Sequence, residues 1–202
     1  MHISVVNNRG ASARLSYLRW QERGREGMVS IGLLVARLVV GLAMAAHGAQ
    51  KAFGWFGGYG LKGTGGFFES LGFRPGIVFA GLAAAGEVAG GLLTAAGLFG
   101  PLGPALIILV MIVGAGVVHF RNGFFAQNNG YELNAIYVAA ALAFAFGGPG
   151  VLSLDQALGL TPYFNGVVDA AVIAAGAVIG FVNLGLRRPV PADQDAHVNP
   201  AT

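Results

Sequence analysis

The chain has 202 residues, 55% of them hydrophobic and only 10% charged, against roughly 25% charged in an ordinary soluble domain. With a mean hydropathy of +0.66 it cannot keep a wet surface, so a water-soluble globular domain is excluded. The absence of cysteine excludes disulfides, thiol redox chemistry, Cys-ligated zinc and iron–sulfur clusters for this chain.

The net charge of +3 and the pI near 9.6 do not point to nucleic acid. The Arg and Lys residues lie at the ends of apolar segments, where membrane-topology signals belong. The 34 glycines suit membrane helices that approach closely through small residues. No Walker, dinucleotide, HExxH or GxSxG pattern occurs, and no spacing marks a metal site. The lipid bilayer is the first partner these features imply.

Residues 1–27 are polar and basic, lack the apolar core of a signal peptide, and are expected to be disordered; Met28 is an alternative start. A spanning helix needs about 20 mainly apolar residues. Five stretches come near that length, at about 31–51, 76–99, 102–120, 132–149 and 166–186. Between the first two lies a loop in which Trp55, Phe56, Tyr59, Phe67 and Phe68 alternate with glycines, read as an aromatic belt at the headgroup level. FGPLGP forms a tight hairpin after the second stretch, and GGPG at Gly147–Gly150 ends the fourth. The Pro-rich end, 187–202, is expected to be disordered. The expected fold is therefore an all-α membrane protein. An antiparallel four-helix transmembrane core fills residues 28–165, and a fifth helix follows at 166–186.

Helix direction places the polar residues. If side A is the face reached by the end of the first segment, His47, Lys51, His119, Asn128 and Glu132 all fall there. Lys51 lies one helical turn from His47, and His119 with Glu132 could complete a general acid/base relay. The competing reading is that these side chains reach the interface only to stay hydrated. A His pair could also hold haem or a metal, which spacing alone does not indicate. Glu87 lies about eleven residues into its helix, roughly 16 Å deep at ~1.5 Å per residue. Arg37 is its expected ion-pair partner, either as a lock between the first two helices or as part of a functional site. Asp155 and Asp169 are expected near the side-B boundary, where water is close and substitution should matter less than at Glu87.

Three stretches carry a resemblance: HGAQK followed by FG, AAAGEVAGGLLTAAGLFGPLG, and NNGYELNAIYVAAALAFAFGGPGVLSLD. They are similar to the DoxX family of small bacterial membrane proteins over about residues 31–156. The resemblance implies a four-helix core in the inner membrane and carries the family signature onto His47, Gly48, Lys51, Glu87, Glu132 and Asp155. It further implies a membrane subunit of an oxidoreductase system that contacts quinone or a redox partner.

No cofactor motif is present in the chain itself, so such a subunit needs a protein partner or a second copy of itself. Two other functions stay open: a non-enzymatic scaffold, and a small transporter with Glu87 as its coupling group. For orientation, Lys51, Lys62, Arg74, Arg121, Arg187 and Arg188 lie on side A. Against them stand Arg9, Arg14, Arg19, Arg23 and Arg25 on side B. A start at Met28 removes the second set, and side A should then face the cytoplasm; the family's usual cytoplasmic N-terminus argues the other way.

Overall fold

The computed structural model describes residues 8–188, which form helices joined by turns, with no β-strand among the described residues. The first helix, α1, runs unbroken over Asn8–Phe53. The basic stretch expected to be disordered is thus helical from Asn8 onward, and only residues 1–7 of it lie outside the described region. The reason is local. No proline interrupts Asn8–Ile31, and Leu, Arg, Gln, Glu and Ala dominate it, all good helix formers. Tyr17 stacks on Trp20 and accepts a hydrogen bond from Gln21 Nε2 at 2.8 Å. At ~1.5 Å per residue α1 is about 70 Å long, more than twice the ~30 Å of a bilayer core.

The aromatic loop holds a second helix, α2, Gly60–Ser70, which the sequence did not suggest. Four glycines in GLKGTGGFFES oppose helix formation, so tertiary contacts must hold it. The Thr64 hydroxyl reaches Lys51 O at 3.5 Å, and the Glu69 carboxylate accepts Gly76 N–H at 3.1 Å. The remaining helices are α3, Gly76–Ala96; α4, Leu102–Gly114; α5, Glu132–Gly147; the short α6, Leu154–Ala157; and α7, Gly166–Gly185. A π turn, Ala115–His119, extends α4.

Four helices are long and apolar enough to cross a membrane: the Tyr17–Phe53 part of α1, α3, α4 with its extension to Asn122, and α7. The chain is therefore a multi-pass membrane protein in composition and length. The stretch read as the fourth span contracts to the 16 residues of α5, below the usual minimum of about 17.

Glycines set how the helices meet. An added Cβ at Gly41 would lie 2.5 Å from Gly91 O, and one at Gly48 would lie 2.6 Å from the Val88 side chain. These contacts run α1 and α3 antiparallel with their backbones nearly touching, the close van der Waals packing that membranes favour. Gly90 against Gly103 and Gly86 against Val110 make α3 and α4 antiparallel as well. By contrast, Gly176 faces Ala105, Gly180 faces Ile112 and Gly116 faces Leu184, so α7 runs parallel to α4. Met44, Ile107, Ile108, Ala141 and Ile173 form the apolar core between them. At side A, Arg188 N–H donates to Gly72 O at 2.9 Å, which ties the end of α7 to the α2–α3 turn. Residues 189–202, expected to be disordered, lie outside the described region.

The side-B end overturns two expectations. Arg37 does not reach Glu87; it is 1% exposed and its Nη2 donates to Leu152 O. The glycine contacts explain why. If Gly41 sits beside Gly91–Ala95 and Gly48 beside Ala84–Val88, then Arg37 falls level with Gly97, and Glu87 falls level with His47. Asp155, expected near water, is 0% exposed. Its two carboxylate oxygens accept Phe99 N–H at 2.8 Å and Gly100 N–H at 2.7 Å, and its own N–H donates to Gly97 O at 3.0 Å. Phe99 has φ +61°, a left-handed conformation costly for a bulky residue, and the carboxylate holds it there.

Candidate functional site

Glu87 has a partner, but it is Lys51. The ammonium sits 2.8 Å from Oε1 and 2.7 Å from Oε2, a bridge in which both carboxylate oxygens are used. Lys51 is the last basic residue of α1, fourteen residues beyond Arg37, or about 21 Å along the helix. Its flexible four-carbon stem reaches from the helix end to Glu87 in α3. The Glu87 side chain is 7% exposed and that of Lys51 28%, so the carboxylate lies behind the ammonium.

This pair forms part of the wall of a cavity of about 670 Å³, within the range of small-molecule sites. His47 and Lys51 from α1, Glu87 from α3, His119 from the π turn, and Asn134 and Tyr137 from α5 supply much of its polar surface. Phe67 and Phe68 of α2, with Phe73, Phe79 and Leu82, give it an apolar wall. The helix expected to be a surface belt therefore closes one side of the cavity.

The two histidines are held alike. His47 Nδ1 lies 3.1 Å from Gln50 Oε1, and His119 Nδ1 lies 2.8 Å from Asn129 O. Both partners are pure acceptors, so Nδ1 carries the hydrogen in each ring and Nε2 is left for a ligand or a proton. The His47 ring meets Tyr137 edge-on, with centroids 6.4 Å apart. The π turn widens the last turn of α4 by one residue and so re-aims His119, a use of such turns that recurs at functional sites.

Of the sequence-derived cluster, then, His47, Lys51 and His119 share the cavity wall and Glu132 does not. Its Oε2 accepts Ala126 N–H at 2.8 Å at the positive end of α5, where a carboxylate is favoured. The residue secures the loop before α5 and lies off the cavity wall. Asn128 is exposed and is absent from the cavity lining. Gly48 acts through packing on α3, and Asp155 through the hairpin at the other end. Among the described residues no three His, Asp or Glu side chains gather as a metal-ligand set would.

Two wall residues escaped the sequence reading, Asn134 and Tyr137. Their spacing of three in an otherwise apolar run places them on one helix face, which was the available signal. Asn134 is buried, and its amide donates to Met111 O at 3.4 Å.

Neither curated proteins nor solved structures give a match. The model of the family described as DoxX matches residues 32–120, a span that contains His47, Lys51, Glu87 and His119. That match spans less than half of the chain, and over it the chain is similar to the DoxX family.

Proposed function

We propose that this cavity receives the polar head of a lipid-soluble carbonyl compound of the quinone class. On this reading the chain is the membrane subunit of an oxidoreductase system in the bacterial inner membrane, acting with a redox partner or a second copy. The observation that carries it is the Lys51–Glu87 pair on the wall of a largely apolar cavity. A charged pair withdrawn from water is costly to keep, and here it lies where a ligand could reach it. Lys51 and Tyr137 would donate to a carbonyl oxygen while the rings of Phe67, Phe68 and Phe79 flank the apolar body.

The arrangement of spans follows from α7. Because α7 runs parallel to α4, a chain that leaves α4 at side A must return to side B before α7 begins. Under this proposal α5 makes that return despite its 16 residues, completing an antiparallel four-helix core to which α7 is a fifth span. A second reading, a small transporter coupled through Glu87, draws on the same burial of that carboxylate within α3.

The test is binding of decylubiquinone to the detergent-purified protein, read by quenching of Trp55 and Tyr fluorescence, with mass spectrometry of co-extracted lipids. Saturable binding is expected, weakened at least tenfold in Lys51→Met. Equal binding by the wild type and Lys51→Met, or none by either, would remove the reading.

A further inference from the structure

The polar wall of the cavity is unbalanced in chemistry. Its one carboxylate is Glu87, and both oxygens of Glu87 are already taken by Lys51. The other polar groups on the wall that can donate are the Lys51 ammonium, the Tyr59 and Tyr137 hydroxyls and the amides of Gln50, Asn129, Asn134 and Asn183, beside the two histidine rings. The ammonium is the more exposed member of the pair and the carboxylate is shielded behind it. Such a wall suits a ligand whose head is rich in acceptors, and above all one that carries a negative charge.

An anionic head brings a difficulty of charge. The resident pair is neutral as a unit, so adding an anion leaves one uncompensated negative charge in an apolar enclosure. An uncompensated charge there is costly. The least costly remedy is for Lys51 to turn from Glu87 to the ligand while Glu87 takes up a proton from solvent and becomes a neutral carboxylic acid. The site then again holds one cation and one anion.

We propose that the cavity binds amphiphiles with a carboxylate or similarly acidic head, in exchange for the Glu87 contact at Lys51, with one proton taken up on Glu87 for each anion bound. This rests on the cavity being a head-group site, as proposed above, and adds the charge class of the ligand and the proton that accompanies it. No bond to carbon forms or breaks and no electron moves; the proton comes from water and leaves when the ligand does. The groups that face Glu87 define its competitors for that proton. They are Lys51 and His47 from α1 and Tyr137 from α5, with Tyr59 before α2 and His119 beyond α4 on the same wall. Neutral ligands make no such demand and should bind without proton exchange.

The experiment is isothermal titration of the detergent-solubilised full chain with decanoate, in buffers of different ionisation enthalpy, beside decanol and decylubiquinone as uncharged probes. Decanoate should bind with uptake of about one proton, and its Kd should weaken by up to tenfold per unit of rising pH, the slope that single-proton linkage sets. Decanol and decylubiquinone should show no uptake. In Glu87→Gln decanoate should still bind with no uptake, and in Lys51→Met it should bind at least tenfold more weakly. Should Glu87→Gln fail to fold, the wild-type pH slope decides, provided it persists in His47→Gln and in His119→Gln. Decanoate bound without proton uptake overturns the proposal, as does uptake that vanishes with either histidine rather than with Glu87. If decylubiquinone alone binds, the charge class proposed here is wrong and the quinone reading stands. If none of the probes binds, both fall.

Discussion

Two pairs of charged residues mark opposite ends of this helical bundle, and they keep different company. At side B, Arg37 and Asp155 are almost wholly enclosed. Asp155 spends both oxygens on backbone amides of the α3–α4 hairpin, and Arg37 donates to the backbone of the segment that leads into α6. At side A, Lys51 and Glu87 spend themselves on each other, beside a cavity large enough for a ligand. A charge that satisfies backbone groups is committed to the fold. A charge whose only partner is another mobile side chain can change partners, and that freedom is what a binding site needs.

The largest effect expected from this contrast is at Asp155. Asp155→Ala strips two charge-assisted bonds from the hairpin and leaves Phe99 unsupported at positive φ, which should cost about 3–5 kcal/mol. Thermal unfolding in detergent reads this directly, and an unchanged melting point would break the comparison at its stronger end. Lys51→Met should cost less, about 1–3 kcal/mol, because Glu87 can take a proton once its partner is gone. The same melting experiment on both variants sharpens the distinction between the two ends. Glu132→Gln should be mildest, within about 1 kcal/mol, with ligand binding intact. A variant of Glu132 that binds tenfold worse would return this residue to the site.

How much of this could be seen in the sequence depended on whether the signal was local. Helix identity followed from apolar run length, and the grouping of His47, Lys51 and His119 at one end followed from counting crossings. The partner of Glu87 did not, because depth measured from segment ends ignores how helices slide past one another. The glycines hold that information: Gly41, Gly48 and Gly91 fix the register of α1 on α3, which turns Arg37 toward Gly97 and leaves Glu87 to Lys51. α2 was hidden for the opposite reason, since its glycine-rich sequence forms a helix only when Lys51 O, Ile77 and Gly76 are there to hold it. Glu132 looked catalytic by its type and place, yet its carboxylate is engaged by a backbone amide three-dimensionally close and six positions away in sequence.

The π turn that ends α4 sets the phase of the residues that close this helical run. One surplus residue in that turn rotates the side chains just after it by about 100° relative to a regular α-helix. His119 owes its place on the cavity wall to that offset. Neighbouring contacts such as Gly116 on Leu184 belong to α7, on another side of α4. Deleting a single residue between Ala115 and Val118 would therefore leave composition and hydropathy almost untouched and yet turn the imidazole to a different bearing. In this protein the cavity's chemistry is written partly in side chains and partly in the counting of residues per turn.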